Sequence, residues 1–167
     1  MSKVYLAGPA VFHPAANHLF EYLVDVCTKH GLEAVTPQVM GVDLSALDPA
    51  GKAAAIRQLN LDKIKACDAV IACISPFRGP GADAGTAWEM GYAEALDKPV
   101  FAWSEEAGDY LSRVPADADE QGRTWCRQHG MVVEDFGLTD NLMLTAGAYP
   151  VSPDFEAAVK AAKALLG

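Results

Sequence analysis

The chain has 167 residues, 51% of them hydrophobic and 21% charged, with a formal net charge of −9; it is too rich in aliphatic side chains for disorder and long enough to bury a core without disulfides or metals. Its 13 Lys and Arg are scattered, which argues against an extended nucleic-acid surface and favours small neutral or cationic ligands. No apolar run approaches the roughly 20 residues of a membrane span, and Met1-Ser2-Lys3-Val4-Tyr5 enters a strand with no signal-peptide pattern, so one cytoplasmic domain over residues 1–167 is expected.

Val4 to Ala7 reads as a short buried strand ending at Gly8-Pro9, and Pro14 to Lys29 as a helix with Leu19, Phe20, Leu23, Val24 and Cys27 on its apolar face. Gly31 stops that helix, Glu33 to Thr36 forms a second strand, and Pro37 to Leu47 is a loop. Asp48-Pro49 supplies a cap and a first-turn proline for a helix running to about Cys67. Ala69 to Ile74 is uniformly apolar, as in a strand buried on both faces of a parallel sheet. A helix from Ala84 to Leu96 and a strand from Pro99 to Trp103 follow. Beyond an acidic, irregular stretch from Ser104 to Asp119, the pattern predicts a helix around Glu120 to His129 and a short fifth strand at Met131 to Val133. Asp154 to Leu166 closes the chain as a helix with Phe155, Val159, Ala162 and Leu166 on one stripe. The alternation predicts an α/β fold, a flavodoxin-like doubly wound five-stranded parallel sheet with helices on both faces.

In such sheets ligands lie beyond the carboxyl ends of the strands, where the loops at Gly8 to Phe12, Pro37 to Met40 and Ser75 to Asp83 converge. The third loop is the most informative. Gly79, Pro80 and Gly81 interrupt regular structure, Asp83 is placed to cap the next helix, and Ala84, Gly85 and Ala87 permit close approach to the backbone. Glu89 then stands between Trp88 and Met90, an unusual setting for a surface glutamate. The two acids suit glycosyl transfer, one attacking an anomeric carbon while the other positions the sugar. Read on its own, Asp83 serves equally well as a plain helix cap, while Glu89, set between Trp88 and Met90, fits a solvated helix residue less well.

The first loop carries Ala10, Val11 and Phe12 where phosphate cradles carry glycines and Lys, Ser or Thr. An unphosphorylated ligand with an aromatic face, stacked on Phe12 or Trp88, fits it better than a nucleotide. Arg78 is the one basic group that challenges this, although an ion pair is the commoner fate of such a residue. Cys27, Cys67, Cys73 and Cys126 form no CxxC pair and read as buried free thiols; His13, His18, His30 and His129 are dispersed and receive no catalytic role. No metal site is indicated.

Four ordered blocks resemble the nucleoside 2-deoxyribosyltransferases: Tyr5 to Phe12, Cys67 to Ala72, Ser75 to Gly79 with Asp83 to Gly91, and Asn141-Leu142-Met143-Leu144. The resemblance covers nearly the whole chain. It implies exchange of the base of a 2′-deoxynucleoside through a deoxyribosyl-enzyme intermediate, with no metal or organic cofactor. It further implies Glu89 as nucleophile, Tyr5 as the phenol that orients it, and Asp83 as a carboxylate near the glycosidic bond. Asn141 and Met143 would reach a neighbouring subunit's site, the Asn binding the sugar 5′-hydroxyl, which implies a homodimer or larger homo-oligomer. Without the resemblance, Tyr5 reads as a packed strand aromatic and Met143 as core filling.

One departure concerns the leaving base. Many members carry Asp eight residues before the position of Asp68, and this chain has Asn60 there. An amide donates no acidic proton, yet presents a donor and an acceptor to a base edge. Protonation then falls to Asp83, Asp62 or water. Gln38 is a further base contact placed by its loop, and Gly8, Phe12, Gly85 and Trp88 complete the expected substrate-binding set. Two rivals stand beside base exchange: a hydrolase that gives the sugar of a deoxynucleoside or deoxynucleotide to water, and a nucleoside-binding module without turnover.

Overall fold

A computed structural model describes residues 1–106, 108–147 and 149–167; Ala107, inside the acidic stretch, and Ala148 lie outside the described residues. Four parallel strands, β1 (Lys3–Ala7), β2 (Glu33–Val35), β3 (Ala69–Cys73) and β4 (Val100–Trp103), pair in the order β2-β1-β3-β4. Side chains alternate across this sheet because successive strand residues point to opposite faces. Val4, Leu6, Ile71 and Phe101 pack with α1 (Ala16–Lys29) and α5 (Phe155–Leu166). Tyr5, Ala7, Val70, Ala72, Val100 and Ala102 face the other way, where α2 (Pro49–Ala66) supplies Ile64 and α3 (Ala84–Glu94) supplies Met90 and Ala93. The sheet is therefore covered on both faces, and no helix among the described residues is long and apolar enough to cross a membrane.

The helix starts follow local chemistry. Asp48 accepts a hydrogen bond from the Gly51 amide at 2.7 Å, Asp83 from Thr86 at 2.9 Å and Asp154 from Ala157 at 2.7 Å, each satisfying an orphan donor of the first turn. Helix α1 begins at Ala16, two residues after the expected Pro14, because Pro9–Phe12 forms a 3-10 turn and the chain turns again through His13. Its end is set by Gly31 in the left-handed region at φ 73°.

The expected fifth strand is absent. Met131 to Val133 contributes one antiparallel bridge, between Val132 and Trp125, and the place beside β4 is taken by a single parallel bridge from Trp103 to Ser152. Ser152 donates to Ala102 at 2.9 Å and accepts from Ser104 at 3.0 Å. The pairing stops there because Pro150 has no N–H to continue the ladder and Asp154 is already committed to capping α5. The helix expected at Glu120 to His129 is also absent. In its place β5 (Ala116–Ala118) and β6 (Thr124–Cys126) form an antiparallel hairpin. The Asp119 carboxylate turns the chain by accepting from the Gln121 and Arg123 amides, and Gly122 sits at φ 77°, a conformation no helix tolerates. A one-turn helix, α4 (Leu142–Thr145), follows.

Candidate active site

The site starts from β1. Tyr5 is fully buried on the α2/α3 face, and its hydroxyl donates to Oε1 of Glu89 at 2.7 Å across 84 residues of sequence. That leaves Oε2 of Glu89 unoccupied by the phenol. Burial pushes the Glu89 carboxyl up to about 7; the Tyr5 hydrogen bond opposes this and the Asp83 charge adds to it. The Tyr5 phenol is itself pushed well above its usual range, first by burial and then by the neighbouring Glu89, so it remains a donor. Asp83 holds the α3 N-terminus: its Oδ2 accepts from the Thr86 amide and, at 3.2 Å, from the Thr86 hydroxyl. A Cβ at Gly85 would lie 3.0 Å from that same oxygen, so glycine leaves the cap its room.

Glu89 and Asp83 open onto a cleft of about 600 Å³. Gly8, Val11 and Phe12 of the first loop form one wall, Asn17 and Phe20 of α1 another, Pro37, Gln38 and Val39 a third, and Ile56 and Asn60 of α2 the far end. The Gly8 loop passes so close to β3 that a Cβ there would meet that of Cys73 at 2.9 Å, and its φ of 156° also favours glycine. Oδ1 of Asn60 is buried with no hydrogen-bond partner among the described residues, an acceptor available to a bound molecule. A second cavity of about 310 Å³ lies across the first loop, shares Gly8, Phe12 and Phe20 with the cleft, and is walled almost wholly by apolar side chains. It carries no carboxylate.

Most of the residues expected from sequence meet here: Glu89, Asp83, Gly8, Phe12, Gln38, Asn60 and Gly85 line the cleft, with Tyr5 behind Glu89. Three stand elsewhere. Trp88, roughly half exposed, stacks on Tyr92 at 5.2 Å with the Arg57 guanidinium 4.8 Å above it, outside the cleft. Asn141 caps α4, accepting from the Met143 amide at 3.0 Å and donating to Glu134, and Met143 is 75% exposed. Arg78 makes no ion pair among the described residues; at φ 57° its guanidinium lies over Phe77 and Phe12, 4.6 and 5.1 Å from the ring centres. Those two rings stack at 5.3 Å and brace the first loop against the third.

Sequence reading missed four contributors. Asn17 lines the cleft one helical turn before Phe20, and Lys63 lies one turn after Asn60, spacings that mark a shared helix face. Asp140, only 3% exposed, accepts from the Ala82 amide at 2.9 Å, while Arg113 donates to Pro80 at 3.0 Å and to Thr139. Together Asp140 and Arg113 fasten the loop that carries Asp83 to the segment that carries Asn141.

A parallel α/β sheet with two carboxylates and a buried phenol at its carboxyl-end cleft defines a class of small-molecule domain suited to glycosyl chemistry. The family model described as nucleoside 2-deoxyribosyltransferase matches residues 4–143. The chain belongs to that family. It is similar over its full length to the full length of the solved 2-desoxiribosyltransferase from Leishmania mexicana, with 33% identity and a TM-score of 0.79. The 2-deoxyribosyltransferase of Bacillus psychrosaccharolyticus shares the fold at 22% identity and TM-score 0.57, with 92% of this chain and 88% of that one aligned. The uncharacterized protein C191.05c of Schizosaccharomyces pombe is 34% identical over 113 residues, 66% of this chain; the match spans 54% of the yeast protein.

Proposed function

We propose that the protein transfers the 2-deoxyribosyl group between nucleobases through a covalent ester on Glu89. The observation that carries this reading is the Tyr5–Glu89 hydrogen bond beside Asp83 in a cleft of nucleoside size. With Tyr5 on Oε1, ionised Glu89 attacks C1′ through Oε2 as the C1′–N bond breaks, its electron pair leaving with the base. The transition state resembles an oxocarbenium ion, and the carboxylate charge stabilises it in a partly dry pocket. The departing base acquires a proton from Asp83 or water, since Asn60 has none to give; Asp62, exposed and bonded to Gln58 and Lys65, stands outside the cleft. A second base then attacks C1′ on the face the first one left, the ester bond returns its electrons to Glu89, and the β configuration is restored with ping-pong kinetics. A 2-deoxy sugar suits this route, because it lacks the electron-withdrawing hydroxyl beside the developing cation.

Asn141 and Met143 do not line their own cleft, which supports a homo-oligomer in which they serve a neighbouring site. The test incubates the protein with deoxyinosine and free adenine. Deoxyadenosine should form, and Glu89→Ala should abolish both its formation and a deoxyribosyl adduct in mass spectra, a rate loss of about a thousandfold or more. Hypoxanthine release with no deoxyadenosine at any adenine concentration would replace transfer with hydrolysis. A Glu89→Ala protein indistinguishable from the wild type would leave a binding module.

A further inference from the structure

Lys63 is a lysine without a carboxylate. Its ammonium group, half-buried between α2 and the loop after β2, donates to the backbone carbonyls of Thr36 at 2.9 Å and Gln38 at 2.7 Å, and no ion pair forms to it among the described residues. Burial lowers its proton affinity, yet the two carbonyls meet it at charge-assisted distances. The loop it grips has no ladder of its own beyond Val35. Gln38 is held a second time through its side chain, whose Nε2 donates to Asn17 at 2.9 Å while Oε1 lies 3.4 Å from the Thr36 hydroxyl. Lys63 thus fixes the backbone of a cleft residue whose amide is already oriented by α1, and it does so from the helix that also presents Asn60.

We propose that Lys63 is a positioning residue for nucleobase recognition, acting through Gln38 to set the affinity of the base end of the cleft. This rests on the transfer reading above, but its own observable is base affinity and not sugar chemistry. Glu89, Tyr5 and Asp83 make no hydrogen bond to Lys63, so removal of the clamp is read first in base affinity and acceptor KM. Lys63→Met keeps the length of the stem and deletes the donors; two charge-assisted hydrogen bonds make a tenfold or larger weakening of base binding the expected size, about 10- to 100-fold. Lys63→Arg, which retains donors, should restore most of it. Gln38→Ala should weaken binding by a similar factor, and the double variant should lose little more than either single one, because Lys63 acts on the base only through the Gln38 side chain whose backbone it holds.

The experiment is calorimetric binding of adenine, hypoxanthine, thymine and cytosine to the wild type, the three single variants and the double variant, run beside steady-state exchange. Raised Kd and acceptor KM at a kcat within about twofold, rescued by Lys63→Arg and non-additive with Gln38→Ala, is the expected pattern. Unchanged base affinity in Lys63→Met, or losses that add fully in the double variant, overturns the proposal even where exchange is active. Base binding that weakens as expected in a protein that never exchanges sugars sinks the transfer reading and leaves the clamp standing. A wild type that binds none of the four bases overturns both. Should Lys63→Met fail to fold, Asn17→Ala, an exposed change that frees the Gln38 side chain, must weaken base binding about threefold for the proposal to survive.

Discussion

The sheet half of the molecule and the excursion between β4 and α5 are held together by different forces. In the sheet half, strands and helices bury apolar side chains in two continuous cores on opposite faces. In the excursion, Val133 is the one buried apolar side chain among the described residues, while Met131, Val132, Phe136 and Met143 are all more than half exposed. Much of what fixes that segment is polar, Asp119 at its turn, Arg127 on Asp117, Arg113 and Asp140 at its junction with the loop that carries Asp83, while Tyr149 stacks on Phe101 and Leu144 and Val151 pack against the sheet's core. The difference teaches that Glu89 stands on a helix packed into a continuous core, while the loop carrying Asp83 is steadied from outside by a segment with almost no core of its own.

The contrast is sharpened most by Ile71→Ala. Ile71 is 1% exposed at the centre of the α1/α5 core, and the change should cost about 2–5 kcal/mol in urea unfolding. A smaller loss would mean that this core is less tightly packed than its burial implies. Next comes the strain at Glu89. Its carboxyl, pushed up to about 7 against 4.5 in an unfolded chain, stays protonated in the folded state while the unfolded state ionises. Stability contributed by this group is therefore intact below about pH 4.5 and falls as pH rises toward 7. Glu89→Gln removes the penalty, so it should be more stable than the wild type at pH 8, by about 3 kcal/mol at most, and equal to it at pH 4. Equal melting curves at both pH values would count against a strained nucleophile. Smallest is Asp140→Ala, which strands the Ala82 amide and should cost about 1–3 kcal/mol. If Asp140 steadies the catalytic loop, this variant also loses kcat, and Asp140→Asn keeps more of it; a stability loss with unaltered kcat would break the link between the two regions.

What the sequence made legible follows the same division. The stripe Phe20, Leu23, Cys27 and the apolar run Ala69 to Ile74 announce elements whose burial decides their conformation. Asp48, Asp83 and Asp154 announce helix starts because capping is a local event. In the excursion, the aliphatics at 131–133 look like a strand, but the hairpin formed at Asp119 and the proline at 150 decide the pairing, and neither effect shows in hydrophobic periodicity. At the site, Glu89 was conspicuous by its apolar neighbours, whereas its contact with Tyr5 lies 84 residues away and was reached through the resemblance. Lys63 was invisible because its partners are backbone carbonyls, which carry no residue signature. Trp88 misled for the opposite reason: an aromatic beside an acid suggested a stacking face, yet the helix turns it outward to Tyr92 and Arg57.

The lone Ser152 bridge bears on the outer edge of the sheet. An open strand edge is a template on which another chain's backbone adds itself, and proteins guard such edges. Here the outer rim of β4 is occupied by a serine flanked at Pro150 and Pro153 by residues that have no amide hydrogen to offer. One paired residue occupies the Ala102 carbonyl and the Ser104 amide and is too little to extend the sheet. Growth of the sheet by strand addition is hindered on that side.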